Sequence, residues 1–205
     1  MLPTLIEASH AVSAAAPDFD VNPQPVIGIL SQPLPASLKK DPRFEGKTTY
    51  LMQAYVDFME SAGARVIPFI SDEDQSITDD KLSKVNGILF PGGGGDYTEI
   101  GDYIYKQLIA ENDAGNFFPL WGTCLGFENL AKFAATSGNP LTKLESNEQS
   151  LTLDFLVDRP QEQTLMFSAM ENPEYFSQEA MTFNHHTYGV ALSKFDDDEG
   201  LGGMF

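Results

Sequence analysis

Trp121-Gly122-Thr123-Cys124-Leu125-Gly126-Phe127-Glu128 joins two kinds of pattern. Ahead of it, Phe117-Phe118-Pro119-Leu120-Trp121 is a short apolar run that reads as a buried strand. Behind it, apolar residues recur at helical spacing to about Ala135. A strand that enters a sharp turn and leaves it as a helix is where an α/β enzyme mounts a nucleophile. Cys124, the single cysteine of the chain, stands on that turn between Gly122 and Gly126. Such a turn holds strained backbone, and small neighbours let backbone and substrate come close. A thiol at a helix N-terminus faces the positive end of the helix dipole, which favours the thiolate. The N–H of Leu125 is then placed to receive negative charge developing on an attacked carbonyl oxygen. A lone cysteine is more often a small buried hydrophobe; the flanking glycines and the strand-to-helix context favour a nucleophile here.

Upstream, the same alternation recurs. Val26-Ile27-Gly28-Ile29-Leu30 reads as a central strand, and Pro33, Pro35 and Pro42 hold a loop after it. Thr48 or Thr49 is expected to cap a helix that runs to Ser61, with Leu51, Ala54, Tyr55, Phe58 and Ala62 as its apolar stripe and Gly63 as its stop. Ala64 to Ile70 is the next strand, followed by an acidic loop from Asp72 to Asp80 and a turn of helix over Lys81 to Lys84. Val85-Asn86-Gly87-Ile88-Leu89-Phe90 runs into Pro91 and the glycines Gly92 to Gly95, and Tyr97 to Ala110 reads as helix. Apolar strands alternating with helices predict an α/β fold with a mostly parallel sheet flanked by helices. Ligands bind such sheets at the carboxyl ends of the strands, where both the glycine run and Cys124 fall. The glycine loop is therefore a candidate second donor to an oxyanion. It lacks the Gly-x-Gly-x-x-Gly spacing of a dinucleotide fingerprint and does not follow the first strand.

Beyond Gly138 the pattern changes. Leu151 to Val157 alternates and suggests an edge or antiparallel strand; Ala180 to Phe183 suggests another, leading to Asn184-His185-His186. The tail from Asp196 to Phe205, acidic and then glycine-rich, does not resemble the end of a packed domain. A cysteine nucleophile needs an acid–base partner. The histidines are His10, His185 and His186, of which the last two are candidates to line a pocket.

Composition narrows the function. The chain has 205 residues, 42% of them hydrophobic, which suits one domain with one core. No apolar run reaches membrane-spanning length. With 12 basic and 30 acidic side chains the formal charge is -18, which repels a phosphate backbone and disfavours nucleic-acid binding. One cysteine excludes an internal disulfide framework and a cysteine-based zinc site. Residues 1–24 read as a leader or disordered segment: Met1 to Ala16 is rich in small and apolar residues, but it lacks a basic start and is interrupted by Glu7 and His10. Residues 25–205 are the expected domain.

These residues carry a resemblance. Trp121 to Glu128 looks like the nucleophile segment of the gamma-glutamyl hydrolase family (peptidase C26), within the class I glutamine amidotransferase-like proteins. Tyr55 to Val66 resembles the family's first long helix and second strand, Asn86 to Gly93 its oxyanion loop, Pro25 to Leu30 its opening strand, and Phe183 to His186 loosely a later pocket segment. The resemblance covers roughly Pro25 to Val190. It implies hydrolysis of gamma-glutamyl bonds, with folylpoly-gamma-glutamates as the usual substrate. Cys124 would form the acyl-enzyme and Leu125 and Gly93 would bind the oxyanion. Tyr50, Gly92, Glu128, and His185 or His186 would meet the substrate. It implies no cofactor or metal, a homodimer, and a lysosomal, vacuolar or extracellular setting.

One part of the family pattern has no counterpart. The family's catalytic histidine lies in a later segment of the form Gly-Val-x-Trp-His-Pro-Glu, and none occurs up to Phe205. The sequence is thus expected to be either an incomplete gene product or a degenerate relative. Two further readings stay open: a catalytically impaired protein that still binds glutamyl ligands, and another amidotransferase-like hydrolase. Glu128, where many amidotransferases have glutamine, argues against ammonia delivery.

Overall fold

The computed structural model describes residues 22–164 and 166–204; most of the expected leader, residues 1–21, lies outside them. The chain begins with β1 (Val26–Leu30), the small strand β2 (Gln32–Pro33), α1 (Ala36–Lys39), a 3-10 turn at Pro42–Phe44, and β3 (Thr49–Tyr50). There follow α2 (Gln53–Ser61), β4 (Arg65–Phe69), α3 (Gln75–Leu82), β5 (Gly87–Phe90), α4 (Thr98–Asp113), β6 (Leu120–Gly122) and α5 (Leu125–Ala134). Last come β7 (Leu141–Leu151), α6 (Pro160–Gln163), α7 (Tyr175–Gln178), β8 (Thr182–Val190), α8 (Leu192–Asp197) and α9 (Glu199–Met204).

Four strands form a parallel sheet in the order β4-β1-β5-β6. The apolar runs place β1 and β5 in its interior, with Ile29, Leu30 and Phe90 wholly buried. Ile27 stands beside Val66 on one side and Gly87 on the other. Because β4 lies to one side of β1 and β5 to the other, strand order reverses between β1 and β5. A crevice opens at such a point outside the carboxyl ends of the strands. Helix α4 contributes Ile104 and Leu108 to the core, and α5 contributes Leu130 and Ala131. A fully buried leucine or isoleucine such as Ile104 or Leu108 contributes about 1.5–3 kcal/mol.

The α/β expectation and the parallel sheet hold, while several boundaries shift. Thr49 does not cap a helix: it pairs with Pro33 in the β2–β3 bracket, and α2 starts at Gln53 after Met52. The acidic stretch that reads as loop is mostly helix α3, which buries Thr78 and has the Lys81–Glu73 ion pair beside it. Residues 152–157 are not strand; the ladder falls earlier, in β7, where cross-strand pairing with β8 outweighs a largely polar sequence. The tail is packed. Leu201 is fully buried, and the buried carboxylate of Asp198 accepts hydrogen bonds from the backbone N–H groups of Thr136 and Ser137 at 2.7–3.1 Å, just past the end of α5.

The chain divides into two compact units. In the larger one, the described residues are 22–145 and 186–204, and it holds the parallel sheet and its core. In the smaller one, the described residues run from 146 to 185. There Phe155, Phe167 and Phe176 meet edge to face, with ring centroids 5.1 and 6.1 Å apart.

Candidate active site

Cys124 is the residue before α5, with φ 53° and ψ -114°. A side chain in that region is held there by its surroundings at a cost. Here the surroundings are the close fit of turn and sheet. Thr123 donates its N–H to the Phe90 carbonyl at 3.0 Å, tying the turn to the end of β5. A Cβ on Gly126 would fall 2.1 Å from that same Phe90 oxygen, so the helix can lie this close to β5 only with glycine there. The N–H of Gly126 reaches Thr123 O and that of Glu128 reaches Cys124 O. The Leu125 N–H has no acceptor among the described residues, as befits the first turn of a helix.

The glycine loop comes to the same point. A Cβ built on Gly92 would lie 2.8 Å from both the Cys124 Cβ and the Tyr55 hydroxyl oxygen. Gly92 donates its N–H to that hydroxyl at 2.7 Å, and its carbonyl accepts from Gln32 Nε2 at 2.6 Å. Both backbone groups of Gly92 are thus engaged. The N–H of Gly93 has no acceptor among the described residues. Gly93 has φ 145°, and a Cβ on it would collide with the Gln32 amide. Gln32 also accepts from the Gly95 N–H at 3.2 Å, so one buried amide clamps the loop from both ends.

Two tyrosines complete the surroundings. Burial pushes the Tyr55 hydroxyl above its ordinary pKa, the Gly92 N–H works against that, and electrostatic repulsion by the neighbouring Cys124 and Tyr50 adds to it. Tyr97, almost fully buried, donates to the Pro91 carbonyl at 2.7 Å. Burial raises its pKa strongly, a hydrogen bond from Asn129 opposes this, and Tyr55, Cys124 and Glu128 contribute further. Both phenols are therefore neutral hydrogen-bonding groups at any physiological pH.

Of the residues singled out in the sequence, Cys124, Leu125, Gly92, Gly93, Tyr50 and Glu128 all lie around the carboxyl ends of β1, β5 and β6. Tyr50 pairs with Gln32, and Glu128 is in the first turn of α5. The two histidines lie on β8, His185 exposed and His186 half-buried; His185 belongs to the smaller unit and His186 to the larger. Sequence reading missed Gln32, Tyr55 as a site residue, Tyr97 and Asn129. Gln32 carried a signal: it is a polar residue directly after a buried strand, at the end where ligands bind. Tyr55 gave none, because it sits in the apolar stripe of α2. Among the described residues no group of three His, Cys, Asp or Glu side chains is placed to hold a metal ion.

Comparison with known proteins identifies the family. The family model of Peptidase C26 matches residues 25–185. The chain belongs to the Peptidase C26 family. Gamma-glutamyl hydrolase B of Dictyostelium discoideum is 35% identical over 192 residues, covering 90% of this chain and 54% of the relative. Gamma-glutamyl hydrolase 1 of Arabidopsis thaliana is 32% identical over 204 residues, 97% of this chain and 58% of the relative. The Homo sapiens gamma-glutamyl hydrolase is 30% identical over 211 residues, covering 64% of its own length. The chain thus spans 54–64% of the length of these relatives, and the family match includes the strand, glycine loop and cysteine turn described above.

Proposed function

We propose that this chain hydrolyses gamma-glutamyl bonds, with folylpoly-gamma-glutamates as substrates, through an acyl-enzyme on Cys124. The observation that carries this reading is the cysteine on a strained turn, beside a glycine loop, with the Leu125 and Gly93 N–H groups free to donate to an anion. In the first step Sγ attacks the gamma-carbonyl carbon, and the carbonyl oxygen takes the charge and receives those two donors. The C–N bond then breaks, and the departing nitrogen takes up, by way of solvent, the proton that the thiol gave up on attack. Water attacks the resulting thioester, releasing the gamma-carboxylate and restoring the thiol. Tyr50, Gly92 and Glu128 surround the glutamyl head group, where the Glu128 carboxylate suits an ammonium. The names of the relatives support the substrate class. The reading extends to a homodimer in a lysosomal, vacuolar or extracellular setting, as the family resemblance implies.

The test compares parent and Cys124→Ala on a gamma-glutamyl peptide under mildly acidic, reducing conditions. Removing a covalent nucleophile is expected to lower the rate by more than roughly 10³-fold. Equal rates from the two proteins would sink the proposal.

A further inference from the structure

The loop between β2 and β3 has a composition unlike the rest of the chain. Four of the 12 basic residues fall in the nine positions from Lys39 to Lys47. They are placed by a built structure. Asp41 caps the 3-10 turn by accepting the Arg43 N–H at 3.0 Å, and it also binds the Arg43 guanidinium at 2.6 Å. That guanidinium lies 5.7 Å from the centroid of the Phe44 ring. Gly46 takes φ 73°, which turns the chain back towards Lys47. Arg43 and Asp41 therefore neutralise each other. Lys39, Lys40 and Lys47 have no carboxylate within ion-pair distance among the described residues. All three line one open hollow of about 410 Å³, in which Glu45 is the remaining acid.

This hollow opens on the loop that the active-site bracket closes. Leu34 donates its N–H to Thr48 O at 2.8 Å, Pro33 pairs with Thr49, and Gln32 pairs with Tyr50. Gln32 in turn holds Gly92, which abuts Cys124. Lys47 is three residues from Tyr50, so their Cα atoms are at most about 10–11 Å apart. On a protein of charge -18, three unpaired ammonium groups on one rim are a local reversal of sign. An acidic ligand is repelled by most of this surface and attracted here.

Resting on the hydrolase reading above, we propose that Lys39, Lys40 and Lys47 form a subsite for the free alpha-carboxylates of an oligo-gamma-glutamate tail, whose scissile bond lies at Cys124. A gamma-linked chain suits such a rim. Each added residue carries one carboxylate and two methylenes in its main chain, so its charges are regularly spaced and flexible. The ammonium groups are exposed and point-like, so each contributes modestly and several must act together. Affinity therefore grows with tail length and falls with salt.

Binding is measured by calorimetry on the full chain carrying Cys124→Ala, so that nothing is consumed. The probes are gamma-glutamyl-glutamate, penta-gamma-glutamate and inorganic tripolyphosphate. The triple variant Lys39→Gln, Lys40→Gln, Lys47→Gln is compared with Lys106→Gln, which lies elsewhere; unchanged melting temperatures establish that both fold. The pentamer is expected to bind more tightly than the dipeptide. The triple variant should lose roughly tenfold on the pentamer and under about twofold on the dipeptide, while Lys106→Gln changes neither. Equal affinity for the two glutamyl ligands, or an unchanged pentamer affinity in the triple variant, overturns the proposal. So does tripolyphosphate binding as tightly as the pentamer, which would make the hollow a general anion site. Hydrolysis by the parent separates this idea from the one beneath it. Lysine-dependent pentamer binding without turnover would defeat the hydrolase reading alone. Turnover with the same KM for short and long tails in parent and triple variant would defeat the subsite alone.

Discussion

Cys124 sits where a side chain is a burden to the backbone. With φ 53° and ψ -114°, its conformation is one that glycine adopts freely and other residues adopt at a cost of about 1–3 kcal/mol. Replacement by alanine keeps that strain and replacement by glycine removes it, although glycine also gains unfolded-state entropy. Cys124→Gly is therefore expected to be more stable than Cys124→Ala by about 1 kcal/mol in urea denaturation, and both are expected to be inactive. A glycine variant less stable than the alanine variant would mean that the turn is not strained. Tyr55 poses a different question. Its hydroxyl is the acceptor for the Gly92 N–H, and Gly92 touches the cysteine. Tyr55→Phe leaves that donor without a partner, which costs about 1–3 kcal/mol when water cannot reach it. It also loosens the loop that offers the Gly93 N–H. The expected result is a lower melting temperature together with a fall in kcat that exceeds any rise in KM. A melting-temperature drop with kcat unchanged would make Tyr55 purely structural.

At the scale of elements, what the sequence revealed follows from how each element is stabilised. β1 and β5 are covered on both sides, so their continuous apolar runs were plain to read. β7 is held by pairing with β8 rather than by a buried face: Thr142, Lys143, Glu145, Asn147 and Gln149 lie along it, and no local pattern announces a partner forty residues away. The two loops of the site were legible because strand-end glycines and a cysteine are local features. Their clamps, Gln32 and Tyr55, reach across sixty and thirty-seven positions of sequence and were not. The tail misled because its acidic run suggested solvent. One of those acids, Asp198, is the lock of the last turn, binding Thr136 and Ser137 by both backbone and side chain. The Ser137 hydroxyl is the main cause that holds its carboxyl well below the usual range, followed by the Thr136 N–H. A folded-state pKa lowered in this way contributes stability above the unfolded value, near 3.8, and that contribution disappears as pH falls through the folded value. Asp198→Asn is thus expected to melt below the parent at pH 7, and the gap should narrow as pH drops beneath about 4. Melting temperatures at pH 7, 5 and 3 check this; a gap independent of pH would show that the charge contributes nothing.

For the whole molecule, charge is the dominant variable. With 30 acidic side chains against 12 basic ones, most carboxylates have no cation to offset them. Several lysines and arginines are already used in local pairs such as Lys84–Asp80 and Lys106–Asp102. The compact state gathers this negative charge more closely than the unfolded chain does, so self-repulsion works against folding. Salt weakens repulsion across a Debye length, which shrinks from about 30 Å at 0.01 M to about 8 Å at 0.15 M. At pH 7 the melting temperature is therefore expected to rise with sodium chloride over that range. For a chain of this size each 1 kcal/mol appears as roughly 2–4 °C. Lowering the pH towards 5 begins to neutralise surface carboxylates and should act in the same direction. Below about pH 4 the loss of the Asp198 lock acts against it. The two effects together place the optimum of stability in mildly acidic solution, and the salt increment should be smaller there than at pH 7 because less repulsion remains to screen. A matrix of melting temperatures over pH 4 to 8 at both ionic strengths separates the contributions. A salt increment that is the same at every pH, or a maximum above pH 7, would show that the net charge does not limit the stability of this fold.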